Sequence, residues 1–130
     1  MDREKLSEHF YRDEFACKGK NCCNGSSPVS RELIEGLEEF RSFLRDYIGF
    51  EVSVFIDSGF RCNKHNKEIV GAKYSAHQYG EGVDISTGVS ISAMYECALK
   101  VEKFLNGGIG LYQNRLHLDI GKKRRWEDFE

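Results

Sequence analysis

The sequence predicts a single small domain of the α+β class, and three stretches predict it. One is a helical stripe, in which Leu33, Leu37, Phe40, Leu44 and Ile48 recur at spacings of three and four residues. The next is an alternating run, Glu51–Asp57, with Val52, Val54 and Ile56 on one side. The last is a hairpin pattern between Ile109 and Ile120. The 130 residues, 40% of them hydrophobic, suffice for one compact core. The expectation is one domain over 1–130, with 1–28 as an N-terminal arm and cysteine-containing loop and 122–130 as a charged tail.

In chain order, Leu6, Phe10 and Phe15 read as an arm that docks its aromatics on the body, with His9 at the surface. Residues 17–28 are rich in turn formers and hold Pro28, the one proline. Ser27 before Pro28, or Ser30, caps the helix, and Gly49 ends it. The strand Glu51–Asp57 runs into the loop Ser58–Asn66, where Gly59 permits a bend and Arg61 emerges. Arg61 reads equally as a carboxylate-binding fork or as half of a surface ion pair. His65 reads as a polar turn residue or a metal ligand. Val83–Thr87 is a second strand, and Ser90 or Ser92 caps a second helix over roughly 91–105, with Cys97 on its buried side. Asn106-Gly107-Gly108 stops that helix. Ile109–Tyr112 and Arg115–Ile120 pair through Gln113-Asn114. On the second hairpin strand His117 and Asp119 share one face, and Leu116, Leu118 and Ile120 the other.

The stretch Ser75–Asp84 places His77 and Asp84 seven residues apart across a glycine-rich bend. An imidazole nitrogen and a carboxylate oxygen are both good Zn²⁺ ligands, and three protein ligands plus water make a catalytic zinc site. His117, forty residues beyond His77, is a natural third ligand. By itself the pattern reads first as a turn bearing a surface histidine.

Five cysteines, Cys17, Cys22, Cys23, Cys62 and Cys97, are an odd set with no paired CxxC spacing. The first three read as reduced thiols packing a loop, as a small metal site or as a disulfide cluster. A formal charge of −2 gives no general case for nucleic acid or a membrane surface, and no apolar run reaches the ~20 residues of a membrane helix. No secretory signal opens the chain. The basic run Lys122–Arg125 reads as a solvated tail with Trp126 tucked against the body, or as a contact for phosphate or an anionic wall polymer.

Taken together, Ser58-Gly59-Phe60-Arg61, Asn66, Ser75-x-His77-x-x-Gly80-x-x-x-Asp84, Gly107-Gly108-Ile109-Gly110-x-Tyr112 and His117-x-Asp119 resemble the zinc D-Ala-D-Ala carboxypeptidase family of peptidoglycan peptidases. The nearest likeness is its small phage- and bacterium-borne branch. The likeness spans nearly the whole chain and includes Leu6, Phe10, Glu14-Phe15-x-Cys17 and Trp126. It implies a central antiparallel sheet carrying one Zn²⁺, with helices packed on one side. It implies that His77, Asp84 and His117 hold the metal, and that Arg61, with Ser75, meets the peptide substrate.

In that reading zinc polarises the scissile carbonyl and activates a water, and a carboxylate moves the proton. Better-known branches carry a Glu or Asp three residues before the last histidine ligand, where this chain has Asn114. Asp119 is therefore the first choice as catalytic base and Glu81 the second, with Asp119 alternatively orienting a ligand. The bond cut is either a terminal D-Ala linkage or the L-Ala–D-Glu linkage inside the stem. The alternatives are a non-catalytic zinc-containing binding domain of the same fold and a thiol-based module built on Cys17, Cys22 and Cys23. The expected partner is peptidoglycan peptide, with no nucleic acid and no membrane. A monomer is expected, since no exposed heptad or long apolar edge points to an obligate partner. Action at the bacterial cell wall, as a phage lysin or virion component, is the expected setting.

Overall fold

The computed structural model describes residues 3–69, 71 and 75–129. Met1 and Asp2 of the predicted arm and Glu130 of the predicted tail lie outside the described residues.

The helical stripe forms α1, Arg31–Ile48, which begins after Ser30 and ends on Gly49 in the left-handed region at φ 98°. Its buried side holds Leu33, Ile34, Leu37, Phe40 and Leu44. Burying five such side chains contributes roughly 1.5–3 kcal/mol each before chain entropy is set against it. The alternating run after α1 becomes hydrogen-bonded strand only at its end, as β1, Phe55–Ser58. Val52 and Val54 are buried as expected, without a ladder partner of their own.

Three further strands carry the site: β2, Gly82–Ser86, β3, Gly108–Tyr112, and β4, Leu116–Asp119. The predicted tail supplies a fifth, β5, Arg124–Asp128. Among the described residues these form one sheet in the order β1-β2-β4-β3-β5. The first three pairings are antiparallel, but β5 runs parallel to β3, so the sheet is mixed where an antiparallel one was expected. The arginines of β5 hid it from the sequence. Arg125 donates to the carbonyls of Gly107, at 2.7 Å, and Leu105, at 2.6 Å, so its charge ties the strand down where a solvated tail was expected.

Side-chain alternation divides the sheet. Val83, Ile85, Ile109, Leu116 and Leu118 belong to the core that also contains Leu33, Leu37, Phe40, Met94 and Phe104 of the helices. Asp84, His117 and Asp119 fall on the opposite face. The predicted second helix is two: α3, Ile91–Leu99, and α4, Glu102–Leu105. Val101 between them is extended (φ −91°, ψ 114°), and this turn lets both Val101 and Phe104 bury fully.

The predicted loop after β1 contains a short helix, α2, Asn63–Glu68, capped by the Cys62 sulfur accepting from the His65 N–H. The arm docks as expected, with Phe10 and Phe15 buried. His9 is not a free surface residue: its Nδ1 lies 2.6 Å from Glu38 on α1, which also accepts from the Ser7 hydroxyl. No helix among the described residues is long and apolar enough to cross a membrane.

Candidate metal centre and active site

Antiparallel register brings the distant residues together. Asp84 on β2 is paired directly with His117 on β4. His77 arrives from a 3₁₀ turn, Ala76–Tyr79, which the Ser75 hydroxyl caps and Gly80 closes in the left-handed region. His77 Nε2 lies 3.4 Å, and His117 Nδ1 3.0 Å, from the same oxygen, Oδ1 of Asp84. The imidazole rings are 5.2 Å apart and tilted by 59°. His77 and His117 are buried, at 1% and 6% exposure, and Asp84 is half-buried.

Each histidine is held through its other nitrogen. His77 Nδ1 donates to the Gly59 carbonyl at 2.8 Å, which leaves Nε2 facing Asp84. His117 Nε2 lies 2.7 Å from Asp119 Oδ2, which leaves Nδ1 facing Asp84. A carboxylate or carbonyl behind a histidine in this way fixes the ring and its tautomer for metal binding. Two neutral imidazoles and a carboxylate, each back-braced or buried, are a donor set suited to Zn²⁺, and they fit a three-ligand site.

Asp119 is 1% exposed and fully engaged. Its Oδ1 accepts from the Gly108 and Gly121 N–H groups at 3.0 and 2.9 Å, and its Oδ2 from His117 and, at 3.4 Å, Arg124. It therefore stands behind His117, on the side away from Asp84. Glu81 is exposed, just before β2 and outside its ladder. Asn114 is exposed in the β3–β4 turn.

The charges of the cluster support one another. Burial opposes the negative charge of Asp84, but hydrogen bonds from His117 and His77 outweigh it and hold the carboxyl well below the usual range. Burial likewise opposes charge on His117, and Asp119 and Asp84 overcome it, raising its pKa. A cation held among these residues would take the place of those protons.

Arg61 lies beside this cluster. Its N–H donates to the His77 carbonyl at 2.9 Å, and its Nη2 to the Ser75 hydroxyl at 3.3 Å. Burial lowers the guanidinium's pKa, against the pull of Asp84. Its buried Nε has no hydrogen-bond partner among the described residues. Arg115 adds positive charge 3.9 Å from Asp84 Oδ2.

Two features were missed in the sequence. Trp126 of β5 packs against His117, with centroids 5.1 Å apart and the rings tilted by 45°, and donates to the Tyr112 hydroxyl at 2.9 Å. Trp126 can reach because Gly110 of β3 lies between them, where any Cβ would collide with the indole, and a Cβ at Gly108 would likewise collide with Asp119. Tucking Trp126 against the body was expected; that its seat is His117 was not. His65 is not drawn into the cluster; its backbone N–H donates to the Cys62 sulfur that caps α2. Cys62, next to Arg61, joins Cys17, Cys22 and Cys23 in a second cluster.

A family model described as peptidase M15 matches residues 8–119, well over half the chain and including all of His77, Asp84 and His117. No curated protein matches the chain.

Proposed function

The chain belongs to the peptidase M15 family, and from that premise we propose that it is a zinc-dependent peptidase acting on peptidoglycan stem peptides. The observation that carries the reading is the convergence of His77 Nε2 and His117 Nδ1 on Asp84 Oδ1, each imidazole braced from behind. In this reading these three residues hold one Zn²⁺. When bound, the ion supplies Lewis-acid polarisation of a carbonyl and acidifies water near neutral pH.

The remaining roles follow from the residues themselves. Asp119 is a positioning residue: its carboxylate keeps a proton on His117 Nε2 and so keeps Nδ1 free. The Gly59 carbonyl does the same for His77. Trp126 covers the outer side of His117 and limits water there. Arg61 offers its Nε, without a hydrogen-bond partner among the described residues, and its Nη2 as a planar fork for a carboxylate, with Ser75 holding the guanidinium. A terminal carboxylate on the substrate would favour trimming of a terminal D-Ala over a cut between L-Ala and D-Glu. A peptidoglycan substrate would place its action at the bacterial cell wall, as that of a lysin or virion component.

A second reading keeps the metal but not the reaction, as a zinc-containing binding domain. Its support is that Asn114 is no base and that Asp119 is fully engaged behind His117.

The test is hydrolysis of a purified stem pentapeptide and of muropeptides by chelated and zinc-restored protein, with products identified by mass. Loss of one alanine, restored by zinc, supports carboxypeptidase action, and a new D-Glu amino terminus supports the endopeptidase. Stoichiometric zinc without product on several peptidoglycan types supports the binding domain. Absence of any zinc binding at His77, Asp84 and His117 overturns both.

A further inference from the structure

Cys17, Cys22, Cys23 and Cys62 bring one sulfur each into a group in which all four lie within 4.8 Å of one another. The separations are 3.9 Å for Cys17–Cys22, 3.9 Å for Cys17–Cys62 and 3.8 Å for Cys22–Cys23. No pair is bonded as a disulfide. A tetrahedral Zn²⁺ with Zn–S distances of about 2.3 Å holds its sulfurs about 3.8 Å apart. The observed spacing is thus that of the edges of a Zn–S₄ tetrahedron, and four thiols at its corners match the soft-ligand geometry that selects zinc. We propose that these four cysteines form a second, structural zinc site, distinct from the His77–Asp84–His117 centre.

The surroundings suit that assignment. Three ligands come from one loop, which the backbone folds tightly through Asn21 and Asn24 at φ 55° and Gly25 at φ 68°. A Cβ at Gly19 would lie 2.7 Å from the Cys22 sulfur and 2.8 Å from His65, so only glycine lets the loop close on the cluster. The His65 N–H points at the Cys62 sulfur at 3.4 Å, a donor of the kind that steadies a thiolate. Four thiolates around one dication leave a net charge of −2, and three lysines flank the cluster. Lys64 bonds the Asn21 carbonyl and Lys18 the Asp57 carbonyl, which bridges the loop to the body, and Lys20 lies in the loop. All four positions are closed by protein, which marks a structural site as opposed to a catalytic one.

The site's role follows from Cys62. This residue follows Arg61 and caps α2, while Gly59, three residues before it, braces His77. A zinc ion at the four sulfurs would clamp the 17–26 loop to the segment that presents both Arg61 and the Gly59 carbonyl. The proposal does not depend on what the histidine centre does.

The test uses the whole chain purified under reducing conditions. Metal analysis should find two zinc ions per wild-type chain, one in His117→Ala and one in Cys62→Ser. With Co²⁺ in place of zinc, wild type and His117→Ala should both show intense thiolate-to-cobalt charge-transfer absorption, which Cys62→Ser lacks. Should Cys62→Ser fail to fold, thiol titration of native wild type decides: four thiols shielded until a strong chelator is added support the site. Four thiols that react at once with no metal released overturn it. So do a mass deficit indicating disulfides in freshly reduced-purified protein, and iron with rubredoxin-like absorption in place of zinc.

Discussion

Asp84 and His117 sit on backbone that the sheet itself fixes, with His77 on the capped 3₁₀ turn that leads into it, whereas Cys17, Cys22, Cys23 and Cys62 sit mostly on loops. Asp84 and His117 are neighbours because β2 and β4 are in register, and a slip of one residue would send both into the core. The first centre is thus preformed by hydrogen bonds that exist without metal. The cysteine cluster joins residue 17 to residue 62 with only the Cys62 cap of α2 as regular structure. Its geometry depends far more on what the sulfurs bind. A site that must react benefits from a scaffold that is rigid without its ion. A site that only clamps can be assembled by the ion.

Variants can break or sharpen this contrast. His117→Ala should lower hydrolysis by more than about 100-fold, because losing a ligand exceeds the 10–100-fold cost of losing its outer partner. Circular dichroism should show the fold intact, since β4 keeps its ladder. Asp119→Asn should weaken zinc binding at the histidine centre by about 10–100-fold in a competition titration. An amide cannot both accept from the Gly108 and Gly121 N–H groups and accept from His117 Nε2. The imidazole proton is then driven to Nδ1, the ligand atom. If zinc affinity is unchanged while product is lost, Asp119 is the catalytic base and not a positioning residue.

Cys62→Ser should do the reverse of His117→Ala. It should lower the melting temperature by about 5–10 °C, a loss of a few kcal/mol at this chain length, while zinc at the histidine centre remains. Trp126→Ala should cost about 1 kcal/mol through its lost ring contact with His117, read as a melting shift of a few degrees.

The smallest effect concerns the arm. Burial opposes charge on Glu38, but the Ser7 hydroxyl and the His9 ring and N–H outweigh it and lower its pKa below 4.5. A depressed folded pKa gives stabilisation that is present above the unfolded value and lost as pH falls through the folded one. Wild type should therefore lose more melting temperature than Glu38→Gln between pH 5 and pH 3, by an amount worth about 1 kcal/mol or less.

The same contrast explains what could be read in advance. α1 and the β3–β4 hairpin were legible because their periodicity is local, and the three metal-ligand candidates were legible because strand alternation and glycine spacing write them into short motifs. The role of Asp119 behind His117 was open between two readings, because only the ring's orientation tells base from brace. β5 was hidden, because its pairing is with a strand sixteen residues earlier and its side chains are charged. Cys62 was hidden for the same reason on a larger scale. Its 45-residue separation from Cys17 closes only when β1 ends beside the arm, where the Phe60 N–H meets the Phe15 carbonyl at 2.9 Å.

The most direct test of the histidine centre is anomalous scattering at the zinc edge from crystals of zinc-loaded wild-type protein. The account predicts a peak about 2.0–2.2 Å from His77 Nε2, His117 Nδ1 and an Asp84 carboxylate oxygen, with Asp119 beyond bonding distance. A zinc-loaded crystal with no peak among these three residues, or a peak bonded to Asp119, would contradict it.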